Sequence, residues 1–273
     1  MKTQVALPFA LTALLTAGSM SVAQSNDAFD DVITAEVLPG WTLADGSRMA
    51  GLRITLAPRW KTYWRAPGDA GIPPQFDWSG SRNLGTVELT WPQPRVFHEN
   101  GMRSIGYKEQ VVIPLHIAPK FAGKPVRIKG RMDLGVCSDI CVPHTLKFNA
   151  TLEGDAAQPT PAIAAAMASA PYSAKEAKVR KSTCAISPTA QGMKVEARIT
   201  MPSAGGREVA VIESGVSGVW VSEPEVTRTG GDIVAVSSMI HPDGGPFSLN
   251  RSAIRITVLG ANYAVDIKGC TAG

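Results

Sequence analysis

The apolar residues of this chain come in short alternating runs cut by glycine and proline, and that rhythm leaves little room for long helices. Thr86 to Trp91 sets Val87, Leu89 and Trp91 two apart, the spacing that puts side chains on one face of a strand. Arg48 to Leu56 does the same less strictly with Met49, Leu52, Ile54 and Leu56. Gln110 to Ile117 is rich in β-branched residues. Pro114 within it predicts an edge or a bulge, because proline has no N–H for a ladder. The second half resumes the style at Met193 to Ile199, Val209 to Ile212, Gly218 to Val221, Ile233 to Val236, Ala253 to Val258 and Tyr263 to Ile267. With 26 glycines and 20 prolines in 273 residues, turn signals separate these runs. Short strands so spaced predict an all-β chain of two tandem immunoglobulin-like β-sandwich domains. The halves share no close sequence repeat, so their likeness is one of architecture.

Residues 154–171 break the rhythm. A Pro- and Ala-rich stretch there reads as a linker carrying one short helix, with Pro161 suited to its first position. It separates a first domain over 27–153 from a second over 172–273. At the N-terminus, Lys2 precedes an apolar run from Val5 to Ala17, and Ser21-Val22-Ala23 has a small-x-small form. This is the pattern of a signal peptide over 1–23, too short to span a bilayer. No cysteine follows that run to carry a lipid anchor, and no later segment approaches about 18 uninterrupted apolar residues. An exported, soluble product is expected, in a compartment where disulfides persist.

The net charge of +4 is spread along the chain without a Lys/Arg run, so nucleic acid is not an expected partner. Phosphate-binding glycine motifs are absent, and no cofactor is expected. The four histidines, at 98, 116, 144 and 241, are scattered. His116 reads as a packing residue in an apolar strand, and His241 opens a turn. The tryptophans at 41, 60, 64, 78, 91 and 220 read as packing residues, Trp64 excepted.

Four cysteines allow three pairings. Bridging Cys184 to Cys270 closes a loop long enough to add about 4.6 kcal/mol in the chain-entropy account, so this pair reads as a structural staple. That leaves Cys137-Ser138-Asp139-Ile140-Cys141. So short a loop adds about 2 kcal/mol, a weak reason for a bridge. Small bridges are also the more readily reduced. The pair therefore suits electron exchange, with a second structural bridge in a pure adhesion module as the bland alternative. The segments Pro125 to Leu134 and Pro143 to Leu152 could form a hairpin with the cysteines at its tip, bulged near Gly130. Asp139 would disfavour a thiolate, and His144 could offset it.

A longer succession of motifs surrounds the pair. Pro94-Arg95-Val96-Phe97-His98-Glu99-Asn100 leads through Gly106-Tyr107-Lys108 to Val111-Val112-Ile113-Pro114-Leu115. Gly135-Val136-Cys137 and Cys141-Val142-Pro143 follow. Over about residues 30–152 this resembles the N-terminal periplasmic domain of the thiol:disulfide interchange protein DsbD. Trp60 to Asp69 and the added C-terminal domain look more like its relative ScsB, which is linked to copper tolerance. The resemblance implies an immunoglobulin-like fold, a periplasmic location and protein-disulfide reductase chemistry at Cys137 and Cys141. Cys141 matches the cysteine that forms the mixed disulfide. His98 to Met102 matches a cap over the pair, with Met102 as the nearest shielding residue. Trp64 falls where the family places an aromatic neighbour. Glu99 and Asp69 are candidate polar neighbours. The cysteine spacing is tighter than in DsbD. The chain shows no membrane-embedded or thioredoxin-like part, which implies a membrane reductant of the DsbD/CcdA type and a thioredoxin-like or disulfide isomerase-like client. A second class of function is Cu(I) binding by Cys137, Cys141 and His144, joined by Met102 or His98, since thiolates and thioethers suit that ion. No other metal site is expected.

Overall fold

The computed structural model describes residues 31–68, 71–99, 101–153 and 158–273. The expected signal peptide lies outside them, as do Asp69, Asn100 and part of the linker. The first half runs β1 (Ile33–Thr42), β2 (Arg48–Leu56), β3 (Lys61–Tyr63), β4 (Gln75–Asp77), β5 (Leu84–Leu89), β6 (Arg95–Glu99), β7 (Met102–Lys108), β8 (Gln110–Pro119), β9 (Val126–Cys137) and β10 (Cys141–Leu152). One sheet has the order β1-β2-β8-β5. The other has β10-β9-β3-β7-β6, with β4 also on β9. The alternation read from the sequence fills the space between them. Leu52, Ile54, Ile113 and Leu115 meet Trp64, Ile105, Met132 and Leu134, all at most 1% exposed.

Two local expectations are corrected by packing. Pro114 is not on an edge strand, because β8 lies between β2 and β5. The pairing of β5 with β8 ends at Leu89 opposite Leu115, so Pro114 falls just past the neighbour and its missing N–H leaves no gap. Its carbonyl accepts a bond from the Thr90 N–H. Gly130 makes no bulge. The β9–β10 register is unbroken from Val126↔Leu152 to Cys137↔Cys141. Gly130 is small because the Phe148 ring occupies the space where a Cβ would stand.

The stretch expected as a linker carries α1 (Pro161–Ala168), with Pro161 in the first turn as expected. It is docked rather than free. Ile163 is wholly buried against Gly51, where a Cβ would collide with it at 2.9 Å, and it lies close to Gly40. Burying such a side chain contributes about 2 kcal/mol. Thr160 Oγ1 donates to the Pro39 carbonyl at 2.9 Å, and the Gln93 N–H to that of Ser169.

The second half contains β11 (Tyr172–Ser173), β12 (Lys181–Pro188), β13 (Met193–Thr200), β14 (Val209–Glu213), β15 (Trp220–Val221), β16 (Glu225–Thr229), β17 (Asp232–Ile240), β18 (Arg255–Leu259), β19 (Ala264–Lys268) and β20 (Thr271–Ala272). Its sheets are β11-β19-β18-β14 and β15-β17-β13-β12-β20, with β16 on β17. The chain is thus an almost entirely β molecule with two sandwich-like halves. Cys184, itself wholly buried in the second core, is bridged to Cys270.

The β14–β18–β19 layer is covered on both faces, and this sets the two halves against each other. Ala210, Ile212, Ile256 and Val258 point into the second core. Val211, Leu259 and Ala264 join the core of the first half. At this seam the Arg65 guanidinium stacks on Trp64 at 3.9 Å. It donates to Glu213 at 3.0 Å and to Thr257 Oγ1 at 3.1 Å. Burial holds its pKa below the usual guanidinium value despite Glu213 and, at 3.8 Å, Asp266. A second bridge joins Arg103 of β7 to Glu223 at 2.9 Å.

Candidate functional site

Cys137 ends β9 and Cys141 begins β10, directly opposite each other in the ladder and bridged. The turn between them is closed by the Ser138 N–H donating to the Ile140 carbonyl at 3.0 Å. Strand alternation decides the rest. Leu134 and Val136 face the core, so Gly135 and Cys137 face the outside of the sheet. Yet Cys137 is 0% exposed, while Cys141 is open to solvent.

The cover comes from β3. Lys61 pairs with Cys137 in register and Thr62 with Val136, so Lys61 and Tyr63 share the sulfur face. Tyr63 lies over Gly135, where a Cβ would press on its ring at 2.8 Å. Its hydroxyl stands 2.8 Å from Cys137 Sγ and 3.2 Å from Cys141 Sγ. Burial first, and Glu99 second, push the phenol pKa up. Tyr63 therefore keeps its proton at neutral pH and can donate it to a thiolate.

Lys61 supplies the charge. Its side chain is buried, and its ammonium pairs with Glu99 and donates to Ser104 Oγ at 3.2 Å. Lys61 and Lys108 stand over the Phe97 ring at 5.3 and 4.8 Å. Lys108 lies 3.7 Å from Glu99. The hydrogen bond from Lys61, with the charges of both lysines, holds the Glu99 carboxyl below its usual range. The ammonium is held toward β6 and β7, but Lys61 is the register partner of Cys137, and a cation in the neighbourhood of a thiol favours its thiolate form. Asp139 works against it, but Arg59 lies 3.5 Å away and offsets that charge.

The residues expected around the pair are thus only partly gathered. Glu99 is in the charge network through Lys61. His98 to Met102 is no isolated loop but the end of the β6–β7 hairpin, with His98 opposite Arg103 and Glu99 opposite Met102. His98 is exposed, and Met102, cast as the shield, is 57% exposed. Trp64 sits in the core, on the face opposite Tyr63. His144 pairs with core-facing Leu134 and so points to the other face of the hairpin from the sulfurs. Cys137, Cys141 and His144 therefore do not converge as a copper site. Among the described residues no three His, Cys, Asp or Glu side chains cluster to hold a metal ion. Sequence reasoning missed Tyr63, Lys61 and Ser104. The signal that could have found them is parity: Lys61 and Tyr63 alternate with Trp64, so they cannot share its face.

A buried and an open sulfur, bridged at a hairpin tip beside a tyrosine hydroxyl and a buried lysine, define the class: a β-sandwich equipped for thiol–disulfide exchange. Residues 32–153 match the family described as thiol:disulfide interchange protein DsbD, N-terminal, and this part of the chain is a DsbD N-terminal-like domain. Over both halves the fold is similar to that of the N-terminal periplasmic domain of ScsB from Proteus mirabilis. That match has 20% identity and a TM-score of 0.61, and covers 88% of this chain and 92% of that one. The reduced DsbD n-terminal domain of Neisseria meningitidis matches at 16% identity, covering 45% of this chain and 90% of that one, at a TM-score of 0.25. No curated protein matches the sequence. The family match and the paired cysteines support thiol–disulfide exchange as the general chemistry. No helix among the described residues is long and apolar enough to cross a membrane.

Proposed function

We infer that this is a periplasmic thiol–disulfide exchange protein that relays reducing equivalents from a membrane reductant to periplasmic clients through Cys137 and Cys141. The division that goes with this reading is a signal peptide over 1–23, a redox domain over 27–153, a connecting segment over 154–171 and a second sandwich over 172–273. The observation that carries it is the asymmetry of the bridge: Cys141 open, Cys137 covered by Tyr63. In-line attack on a disulfide needs an accessible sulfur, and Cys141 has that access.

In the reduced state the Cys141 thiolate attacks a client disulfide. A Cys141–client S–S bond forms, the client bond breaks, and the departing client sulfur takes a proton. The Cys137 thiolate, favoured by Lys61 and Tyr63, then attacks the Cys141 sulfur and releases the client's second sulfur. The client has gained two electrons and this chain is oxidised. A membrane dithiol of the DsbD/CcdA type reverses the state of the pair.

The test is the redox midpoint of each bridge, from alkylation and mass spectrometry across a dithiol buffer series. Reversible titration of Cys137/Cys141 with Cys184–Cys270 still oxidised supports the proposal. Equal resistance of both bridges overturns it in favour of a disulfide-stapled binding module.

A further inference from the structure

Between the halves runs a groove of about 550 Å³ whose walls include Ala66, Pro67, Gly68 and Gly71 on one side and Val219 and Trp220 on the other. It is one aromatic ring away from the disulfide. Gly71 lines it, and a Cβ on Gly71 would press on the Tyr63 ring at 2.9 Å. The far end of that ring carries the hydroxyl that touches both sulfurs.

Exposure follows the same path. Seven large apolar residues are exposed among the described residues. Of these, Ile140 is between the cysteines, Ile72 abuts Gly135 beneath the Tyr63 ring, and Trp220 is in the groove. Trp220 is 44% exposed, against the expectation that it packs. The charges in the groove are spent on one another: Arg103 pairs with Glu223, and Glu213 with Arg65. A neutral, apolar groove fits an uncharged segment and penalises a charged one, whose desolvation nothing there repays.

We propose that this groove holds an uncharged apolar segment flanking the reactive disulfide of the partner protein, with Trp220 of the second half as its anchor. The proposal rests on the thiol-exchange reading and gives the second half a share in choosing the partner. Docking adds no chemical step. A tryptophan lining a groove is the residue type that dominates such contacts.

The test uses the full mature chain, reduced, with three probes. These are a disulfide-cyclised peptide with valine, leucine and proline around its cysteines, the same peptide with aspartates there, and oxidised glutathione. The apolar peptide should react about tenfold faster than the acidic one, and Trp220→Ala should erase most of that preference. The rate with oxidised glutathione should not change, because Trp220 does not touch the sulfurs. Equal rates with both peptides, or a Trp220→Ala loss shared by glutathione, would overturn the docking role. If no disulfide reacts, it is the exchange reading that fails. Docking is then judged by binding of a serine-substituted apolar peptide: Trp220-dependent binding supports it, and equal binding to Trp220→Ala overturns it.

Discussion

The two disulfides of this molecule are the same bond in opposite surroundings. Cys184–Cys270 spans 86 residues and anchors in a core where Cys184 is wholly buried. Cys137–Cys141 spans four, on the outer face of a sheet, with one sulfur open. The first closes a large loop and lies against hydrocarbon. The second closes almost nothing and lies against a hydroxyl and a charge network. Placement, rather than the bond, separates a staple from a carrier.

The strongest way to break this contrast is to remove each bridge. Replacing Cys184 and Cys270 by serine should cost about 4.6 kcal/mol, and replacing Cys137 and Cys141 about 2 kcal/mol. Urea unfolding of the two double variants gives both numbers. Exchange should show the reverse order: kept without the long bridge at temperatures where the chain stays folded, lost without the short one. Cys137→Ala should accumulate a mixed disulfide and Cys141→Ala none. Equal destabilisation would mean that loop length does not distinguish the bridges.

Lys61 sharpens the contrast next. It is a buried cation in register with Cys137, whereas Arg251, beside Cys184, donates to the Cys184 backbone carbonyl at 3.0 Å and not to a sulfur. Lys61→Met should raise the pH at which the reduced pair becomes reactive to iodoacetamide by about one unit or more. An unchanged pH profile would show that the ammonium serves only Glu99.

Tyr63→Phe should act in the same direction by about one unit, since a hydrogen bond to a charged group contributes about 1.5 kcal/mol. The ring stays over Gly135, so the fold should hold and Cys137 should stay covered. A profile that moves only with Tyr63→Ala would assign the effect to shielding instead of the hydroxyl.

Much of this was legible in the sequence, for a reason that also explains what was not. Alternation at Thr86 to Trp91 and Met193 to Ile199 reports burial, and burial fixes sandwiches. The hairpin around the cysteines followed from the apolar segments flanking them. Gly130 misled because a missing side chain looks the same whether the chain bulges or a Phe148 ring needs the space. Trp64 misled because a family motif places a residue along the chain without giving its face: by parity, the aromatic at the sulfurs is its neighbour Tyr63. Lys61 carries no local signal at all. It matters through cross-strand register, which joins residues 76 positions apart.

Glu99 gives the smallest and most specific effect. Its carboxyl is held below its ordinary range by the bond from Lys61, so the folded chain favours the carboxylate more than the unfolded chain does. The stability this adds is complete above the ordinary glutamate pKa, near pH 4.3. It is lost as pH falls through the lowered folded value. Glu99 is nearly half exposed, so solvent screens the pair and the gain is small. The difference in melting temperature between Glu99→Gln and the parent should thus be flat from pH 8 to about pH 5 and close at lower pH. At neutral pH the same variant frees the Lys61 charge for the sulfur. It should lower the pH of reactivity by about a few tenths of a unit, opposite in sign to Lys61→Met. The same sign from both would mean that Glu99 and Lys61 act on the pair by holding the β6–β7 hairpin in place, and not through charge.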